Sequence, residues 1–425
     1  MTAGLPVPLE VFTAEVPMAR PFAHAAHARR TSRSVLVRCT LAGSTGWGEG
    51  APRTYVTGES LESAVHALLH AQLPALEGVF TGLSFESGVR ALDTLDLPAA
   101  LGAPDHPAPA AAAALETALL DAWCRAHGRD AADALAVVGG EVLRPEPQVP
   151  VSALVVDSSR TPAELLGALP EEARSRLTHV KVKGLPDPAA TRELVVSARE
   201  FTEPSRTTVS VDANGVWSPD QALHAATLLA DAVDWLEEPT RPRDWATLHR
   251  IQREAGCPVM LDESAVVPTD LDEAIGHAAA TYVNVRVSKC GGPLASLRML
   301  RRARTLGLRA QLGVQVAEVG PLWAAGRLLA AHVDGLVAVE SGRQDEWFAP
   351  DLTVPPYEID RIRHRAAPLP GPGFGLVPSP RLLRAPQRGA GNGAISHNEP
   401  ADGQRPIPAQ PAERPVPAFT TRTPA

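Results

Sequence analysis

The chain has 425 residues, 44% of them hydrophobic and 21% charged, with a formal net charge of -8. This is the composition of an ordinary globular protein with room for two or three domains, and nothing in its charge points to nucleic acid. The opening residues MTAGLPVPLEVF lack a basic segment followed by an apolar run, and no stretch of about 18 apolar residues occurs, so no membrane partner and a cytoplasmic location are expected. Cys39, Cys124, Cys257 and Cys290 lie far apart without paired or metal-binding spacing, and each reads as a buried, reduced thiol.

In chain order, the first elements are strand-like, SVLVRCTLAG and GWGEGAPR, followed by helix-like runs. In AAAALETALLDAWCRAHG, Leu115, Leu119, Ala122 and Trp123 recur at helical spacing and Gly128 supplies a stop. An α+β domain of about 140 residues is expected. From about residue 148 the pattern becomes VPVSALVVD, HVKVKG, TTVSVDAN, VDWLEEP, PVMLDES, TYVNVRVSK, RAQLGVQVAE and GLVAVESG, with helical segments between them. Strands alternating with helices in this way predict a parallel barrel. The last forty residues carry eight prolines and no apolar periodicity, which predicts a disordered tail whose deletion after about residue 384 leaves folding intact.

The polar residues that end these strands are regular. Lys183, Asp212, Glu237, Asp262, Arg286 and Glu340 are separated by 29, 25, 25, 24 and 54 positions, each interval being one βα unit or two. The C-terminal strand ends of a barrel form its active face, so a ring of charges is expected in one pocket. Taken singly, Asp212 reads as a helix cap and Glu237 and Asp262 as loop carboxylates. Together, three carboxylates aimed at one spot repel, and a divalent cation, most naturally Mg²⁺ with its preference for oxygen ligands, is the usual remedy.

Lys181 and Lys183 share one face of their strand. Inside a barrel each ammonium and the surrounding desolvation lower the other's pKa, preparing Lys183, nearer the strand end, as a base. Next to a metal held by carboxylates, such a base suits removal of the proton α to a carboxylate, because a cation gripping both carboxylate oxygens stabilises the doubly charged enolate. In TYVNVRVSK the period of two sets Asn284, Arg286 and Ser288 on the inner face and the valines outward, with Arg286 needing anionic partners.

The motifs ALETALLDAWCRAHGRDAADAL, KVKG, VDANGVW, WLEEP, LDES, VNVRVSKCGG and GPGFGL, in this order over roughly residues 10–380, resemble the enolase superfamily, within it the mandelate racemase/muconate lactonizing enzyme family and its muconate lactonizing enzyme subgroup. The resemblance implies a (β/α)7β modified TIM barrel at 148–365, an N-terminal α+β capping domain at 1–140 with substrate-specificity loops, a segment at 366–384 returning to it, and the Pro-rich tail at 385–425. It implies Asp212, Glu237 and Asp262 as ligands of one Mg²⁺ per subunit, with Mn²⁺ as a substitute, and Lys183 as acid/base with Lys181 beside it. Asn214, Glu238 and Glu263 would orient the ligands. The capping loops nominate His24, Tyr55, Val56 and Thr57 for substrate contact, with Asn284 and Glu340 on the barrel side. A small carboxylate substrate and a homo-oligomer are expected.

Two positions depart from the family. Relatives that move protons on both faces of a carbon have an NxKxxKxGG pattern, whereas here Arg286 replaces the first lysine and Lys289 falls on the opposite strand face or in the loop. Arg286 and Lys289 are the candidates for that second catalytic position, and an arginine is a poor base but a good carboxylate partner. Dipeptide epimerases carry DxD on the eighth strand; here Glu340 stands alone, to meet a substrate ammonium or hydroxyl or to pair with Arg286. The expectation is an isomerase or lyase that uses Lys183 alone for elimination or cycloisomerisation. The alternatives are an amino-acid, acyl-amino-acid or dipeptide racemase or epimerase, and a pseudoenzyme that keeps only the metal site.

Overall fold

The computed structural model describes residues 8–24, 27–73, 79–102, 108–156, 160–316, 318–340, 347–348, 352–356 and 358–383; the expected tail lies outside them. The N-terminal sheet is antiparallel, β1 (Leu9–His24) pairing with β2 (His27–Leu41) and β2 with β3 (Ser44–Gly50). One face of β2 buries Val35, Val37, Cys39 and Leu41 in the main core. Leu36 packs on the other face with Phe12, Trp47 and Val319. Burial of Val35, Leu36 and Val37 on alternating faces accounts for the unbroken VLV inside a strand that otherwise carries Arg29, Arg30, Arg33 and Arg38.

The helix Pro109–Ala126 crosses this sheet, and glycines make the crossing possible. A Cβ on Gly46, Gly48 or Gly50 would lie 2.2, 1.9 and 2.0 Å from the carbonyl oxygens of Ala118, Ala114 and Ala110. Two residues along a strand advance the chain by roughly 6.6 Å and four along a helix by roughly 6 Å, so every inward position of β3 meets one turn of an alanine face. Only backbone fits there.

The second layer is a seven-stranded parallel sheet: β4 (Leu154–Val156), β5 (His179–Lys183), β6 (Thr208–Asp212), β7 (Trp235–Glu237), β8 (Val259–Leu261), β9 (Tyr282–Arg286) and β10 (Arg309–Gly313), neighbours in that order. The expected eighth stave, around GLVAVESG, closes it through backbone hydrogen bonds. Val337 N and Glu340 N donate to β10 at Ala310 O and Leu312 O (2.9 Å each), and Ala153 N donates to Val339 O (2.6 Å). This is the parallel barrel that the alternation of strands and helices predicts, in the (β/α)7β form that the resemblance implies.

Buried carboxylates of the N-terminal layer cap barrel elements. Glu49 accepts from Val319 N (2.7 Å), Gly320 N (2.9 Å) and Leu322 N (3.2 Å) at the start of helix Pro321–His332. Glu116 accepts from Leu294 N (2.7 Å) and Ala295 N (3.3 Å) at the start of helix Pro293–Thr305. Each satisfies helix N-terminal donors that would otherwise be buried without partners. Asp121 accepts from Trp47 N and Phe374 N at 2.9 Å each, tying the returning C-terminal segment to the first sheet.

All four cysteines are free and buried. Among the described residues no helix is long and apolar enough to cross a membrane.

Candidate active site

Strand register assembles the site. Lys183 of β5 is opposite Asp212 of β6, and Asp212 is opposite Glu237 of β7, so three strand-end charges stand in one row. Lys183 Nζ donates to Asp212 Oδ2 (2.5 Å) and Asn214 Oδ1 (2.9 Å). Asp212 does not cap a helix: the next one, Pro219–Leu229, is capped by Ser218. Burial alone would raise the Asp212 carboxyl, but Lys183, Lys181 and Arg286 outweigh it and hold it well below the usual range.

The expectation of two lysines lowering each other fails for Lys181. Its ammonium sits 2.5 Å from Glu237 Oε2 and 3.6 Å from Asp212 Oδ2, and it contacts Glu340 Oε1 directly. Burial disfavours its charge, yet Glu237, Glu340 and Asp212 together raise it, so Lys181 is a fixed cation. Glu340 therefore pairs with Lys181 rather than Arg286. Gln311, unremarked in the sequence, faces both acids, its Nε2 donating at 3.4 Å to Glu237 Oε2 and to Glu340 Oε1.

β9 stops at Arg286, and residues Val287–Cys290 turn into a helical segment, which changes the expected faces. Asn284 points inward as expected, its Nδ2 donating to Glu237 Oε1 (2.8 Å). Arg286 contacts Asp262 Oδ2 directly, lies 3.9 Å from Glu237 Oε1 and donates through Nη1 to Gln315 Oε1 (3.0 Å). Ser288 does not line the interior; its Oγ accepts from Ala51 N of the capping layer (2.9 Å). Lys289 is fully buried behind Asp262, with Nζ 3.0 Å from Oδ1, 2.5 Å from Asp262 O and 2.8 Å from Asn284 O. Its ammonium is spent on holding that loop.

Near two of the three carboxylates the backbone is strained. Asn214 and Glu238 take φ values of +46° and +39°, a region that non-glycine residues rarely occupy and that tends to mark functional sites. Glu238 accepts from Asp262 N (2.7 Å), Ser264 N (3.0 Å) and Ser264 Oγ, fixing the turn that carries Asp262. Burial pushes Glu238 up to about 7 against those hydrogen bonds. Asn214 Nδ2 donates to Glu263 Oε1 (3.4 Å), and burial, with Glu238 and Asp212 nearby, pushes Glu263 up to about 8.

On the capping side, Tyr55 OH accepts from Arg29 Nη2 (3.0 Å), Val56 is buried and Thr57 half-buried. The side chain of His24 lies outside the described residues. This loop is anchored by Arg53, whose Nη2 donates to Val316 O (3.1 Å) beyond β10. Glu318, pushed up to about 8 by burial and by Glu49, stands next to it. The sequence reading missed Gln311, Gln315, Glu318 and Arg53. Gln311 is in register with Asn284 on the next strand, a pairing that only the closed sheet reveals.

The donor chemistry fits a hard divalent cation: carboxylates from three neighbouring strands, with both oxygens of Asp262 buried and making ion-pair contacts but no hydrogen bond. Glu263 Oε2 and Asn284 Oδ1 are also buried without a hydrogen-bond partner. Among the described residues no three His, Cys, Asp or Glu side chains come together closely enough to hold an ion. Each of the three carboxylates is instead engaged by a protein cation.

Fold and site together define a barrel enzyme of the carboxylate-lined, capped type. A family model described as Enolase C-terminal domain-like matches residues 167–382, and one described as Mandelate racemase / muconate lactonizing enzyme, N-terminal domain, matches residues 8–135. The chain belongs to the enolase superfamily, in its mandelate racemase/muconate lactonizing enzyme family. It is 26% identical over 383 residues to the N-succinylamino acid racemase of Amycolatopsis sp, covering 88% of this chain and 95% of the relative. It is 26% identical over 318 residues to the L-Ala-D/L-Glu epimerase of Bacillus subtilis (strain 168), covering 72% and 80%. Among solved structures, a dipeptide epimerase from Enterococcus faecalis V583 complexed with Mg and the dipeptide L-Leu-L-Tyr superposes with a TM-score of 0.71 at 20% identity, over 88% of this chain and 99% of that one. The named relatives are isomerases.

Proposed function

We propose that this protein removes the α-proton of a small carboxylate substrate with Lys183 as its single base, in a Mg²⁺-dependent reaction that continues by elimination or cycloisomerisation. The observation that carries this reading is the inequality of the two walls. Lys183 is the more accessible lysine of its strand, 8% exposed against 1% for Lys181, and Asp212 and Asn214 orient its Nζ. The opposite wall offers Arg286, an arginine whose planar fork suits carboxylate binding rather than base catalysis, while Lys289 is committed to Asp262 and Asn284.

Asp212, Glu237 and Asp262 would hold the ion, with Asn214, Glu238 and Glu263 fixing their orientation. Bound there, Mg²⁺ supplies charge stabilisation at the carboxylate oxygens as the enolate forms. Lys183 Nζ takes the proton and, in cycloisomerisation, returns it. Lys181 keeps the acidic floor neutralised. Arg286 presents a planar fork suited to a carboxylate. Tyr55, Val56, Thr57 and His24 are the proposed selectors on the capping side, with Asn284 and Glu340 on the barrel side.

A second reading, racemisation or epimerisation by proton transfer on both faces, draws support from the names of the relatives, among them a racemase and an epimerase. The test is turnover of N-acylamino acids, dipeptides and unsaturated diacids with Mg²⁺ by wild type and Lys183→Ala. A fall of roughly 10²–10⁴-fold is expected on loss of a general base. Conversion at the wild-type rate by Lys183→Ala would rule the mechanism out.

A further inference from the structure

Arg286 occupies an unusual position for a pocket cation. Its Nη2 contacts Asp262 directly and lies 3.9 Å from Glu237 Oε1, so one guanidinium serves two of the three carboxylates that would hold the metal. Only Nη1 has a neutral partner, Gln315 Oε1 at 3.0 Å, and the buried Nε has no hydrogen-bond partner among the described residues. Lys181 and Lys183 cover Glu237 and Asp212 from the other side, and Lys289 covers Asp262 from behind. With these four cations in the pocket, the carboxylate charge is already compensated. Two cations sharing the same oxygens repel, and in a water-poor pocket that repulsion is strong.

We propose that Arg286 is a resident counter-ion which a divalent cation must displace from Asp262 and Glu237, so that this residue sets a weak intrinsic metal affinity. The proposal rests on the metal reading above and adds a property of this chain's own sequence. Gln315 Oε1, bonded to Nη1 at 3.0 Å, is a neutral partner that does not depend on the Asp262 contact. Loss of Arg286 leaves Asp262 and Glu237 under-neutralised without metal and more available to it.

The test is Mn²⁺ binding to the full chain, followed by electron paramagnetic resonance of the free ion and by the thermal shift on adding Mn²⁺. The variants are Arg286→Met, Arg286→Gln as a second neutral replacement should the first fail to fold, and Arg286→Lys, which keeps the charge but loses the fork. At least a tenfold tighter Mn²⁺ dissociation constant is expected for the neutral variants, with Arg286→Lys between them and wild type. The neutral variants should also melt lower in chelator and gain more from Mn²⁺ than wild type does. Equal Mn²⁺ affinity in all of them would overturn this inference while leaving the metal reading intact. No Mn²⁺ binding by any of them at millimolar concentration would overturn both.

Discussion

Lys181→Met separates the role of a buried cation from that of its stem. Methionine retains most of the apolar length of lysine but removes the ammonium, which in the native protein meets Glu237 at 2.5 Å, contacts Glu340 and lies 3.6 Å from Asp212. Every one of these groups is buried, so the orphaned carboxylates cannot turn to water. Breaking a buried pair by removing one partner costs roughly 3–5 kcal/mol, whereas an exposed pair contributes about 0–1 kcal/mol. Arg250→Ala, which breaks the exposed 3.0 Å pair with Glu254, is the matched control. The direction with pH follows from Glu237, whose carboxyl is raised by burial against the pull of Lys181. A raised folded pKa contributes stability at pH below the unfolded value and loses it as pH rises. The deficit of Lys181→Met should therefore be largest near about pH 8 and shrink as the solution is acidified and Glu237 takes up a proton. Urea denaturation in chelator across that range measures it. A variant as stable as wild type near about pH 8, or a deficit that grows on acidification, would refute the reasoning.

Three further outcomes are expected. Gly48→Ala pushes a Cβ to 1.9 Å from Ala114 O, backbone that cannot yield, and should cost at least about 1–3 kcal/mol in urea denaturation, while alanine at exposed Gly276, which has no positive φ, has no such contact. Glu116, pushed up to about 7 by burial against the pull of Arg298 and two backbone amides, contributes stability that is full below the ordinary carboxylate range and lost as pH rises through about 7. Glu116→Gln keeps an acceptor for Leu294 N and should flatten that part of the stability profile, as denaturation midpoints at several pH values would reveal. Glu238→Leu should weaken Mg²⁺ binding, read by titration calorimetry, because Asp262 N and Ser264 N, both held by Glu238 Oε2, lose their acceptor.

Much of the barrel was legible because strand-end charges recur at the length of one βα unit, a period that local residues carry by themselves. The same regularity nominated Asp212, Glu237 and Asp262. The partners of each charge were not legible, since they depend on which side chains face one another across a closed sheet. Lys181 and Lys183 look equivalent in KVK, yet only Lys181 meets Glu340, 159 positions away in the chain. Ser288 was assigned to the inner face by alternation, but the strand ends at Arg286 and the next residues turn toward Ala51. The capping carboxylates Glu49, Glu116 and Asp121 gave no local signal, because the amides they satisfy lie far along the chain.

In the proposed reaction one lysine, Lys183, acts on one face of the α-carbon. Incubation of each enantiomer of a converted carboxylate with the Mg²⁺-loaded protein in D₂O, followed by nuclear magnetic resonance of the α-position, tests it most directly. Wild type is expected to act on one enantiomer alone, without interconverting the two, and Lys183→Ala to leave the α-proton in place. Interconversion of both enantiomers with deuterium at the α-carbon would contradict it and assign Arg286 or Lys289 a proton-transferring role.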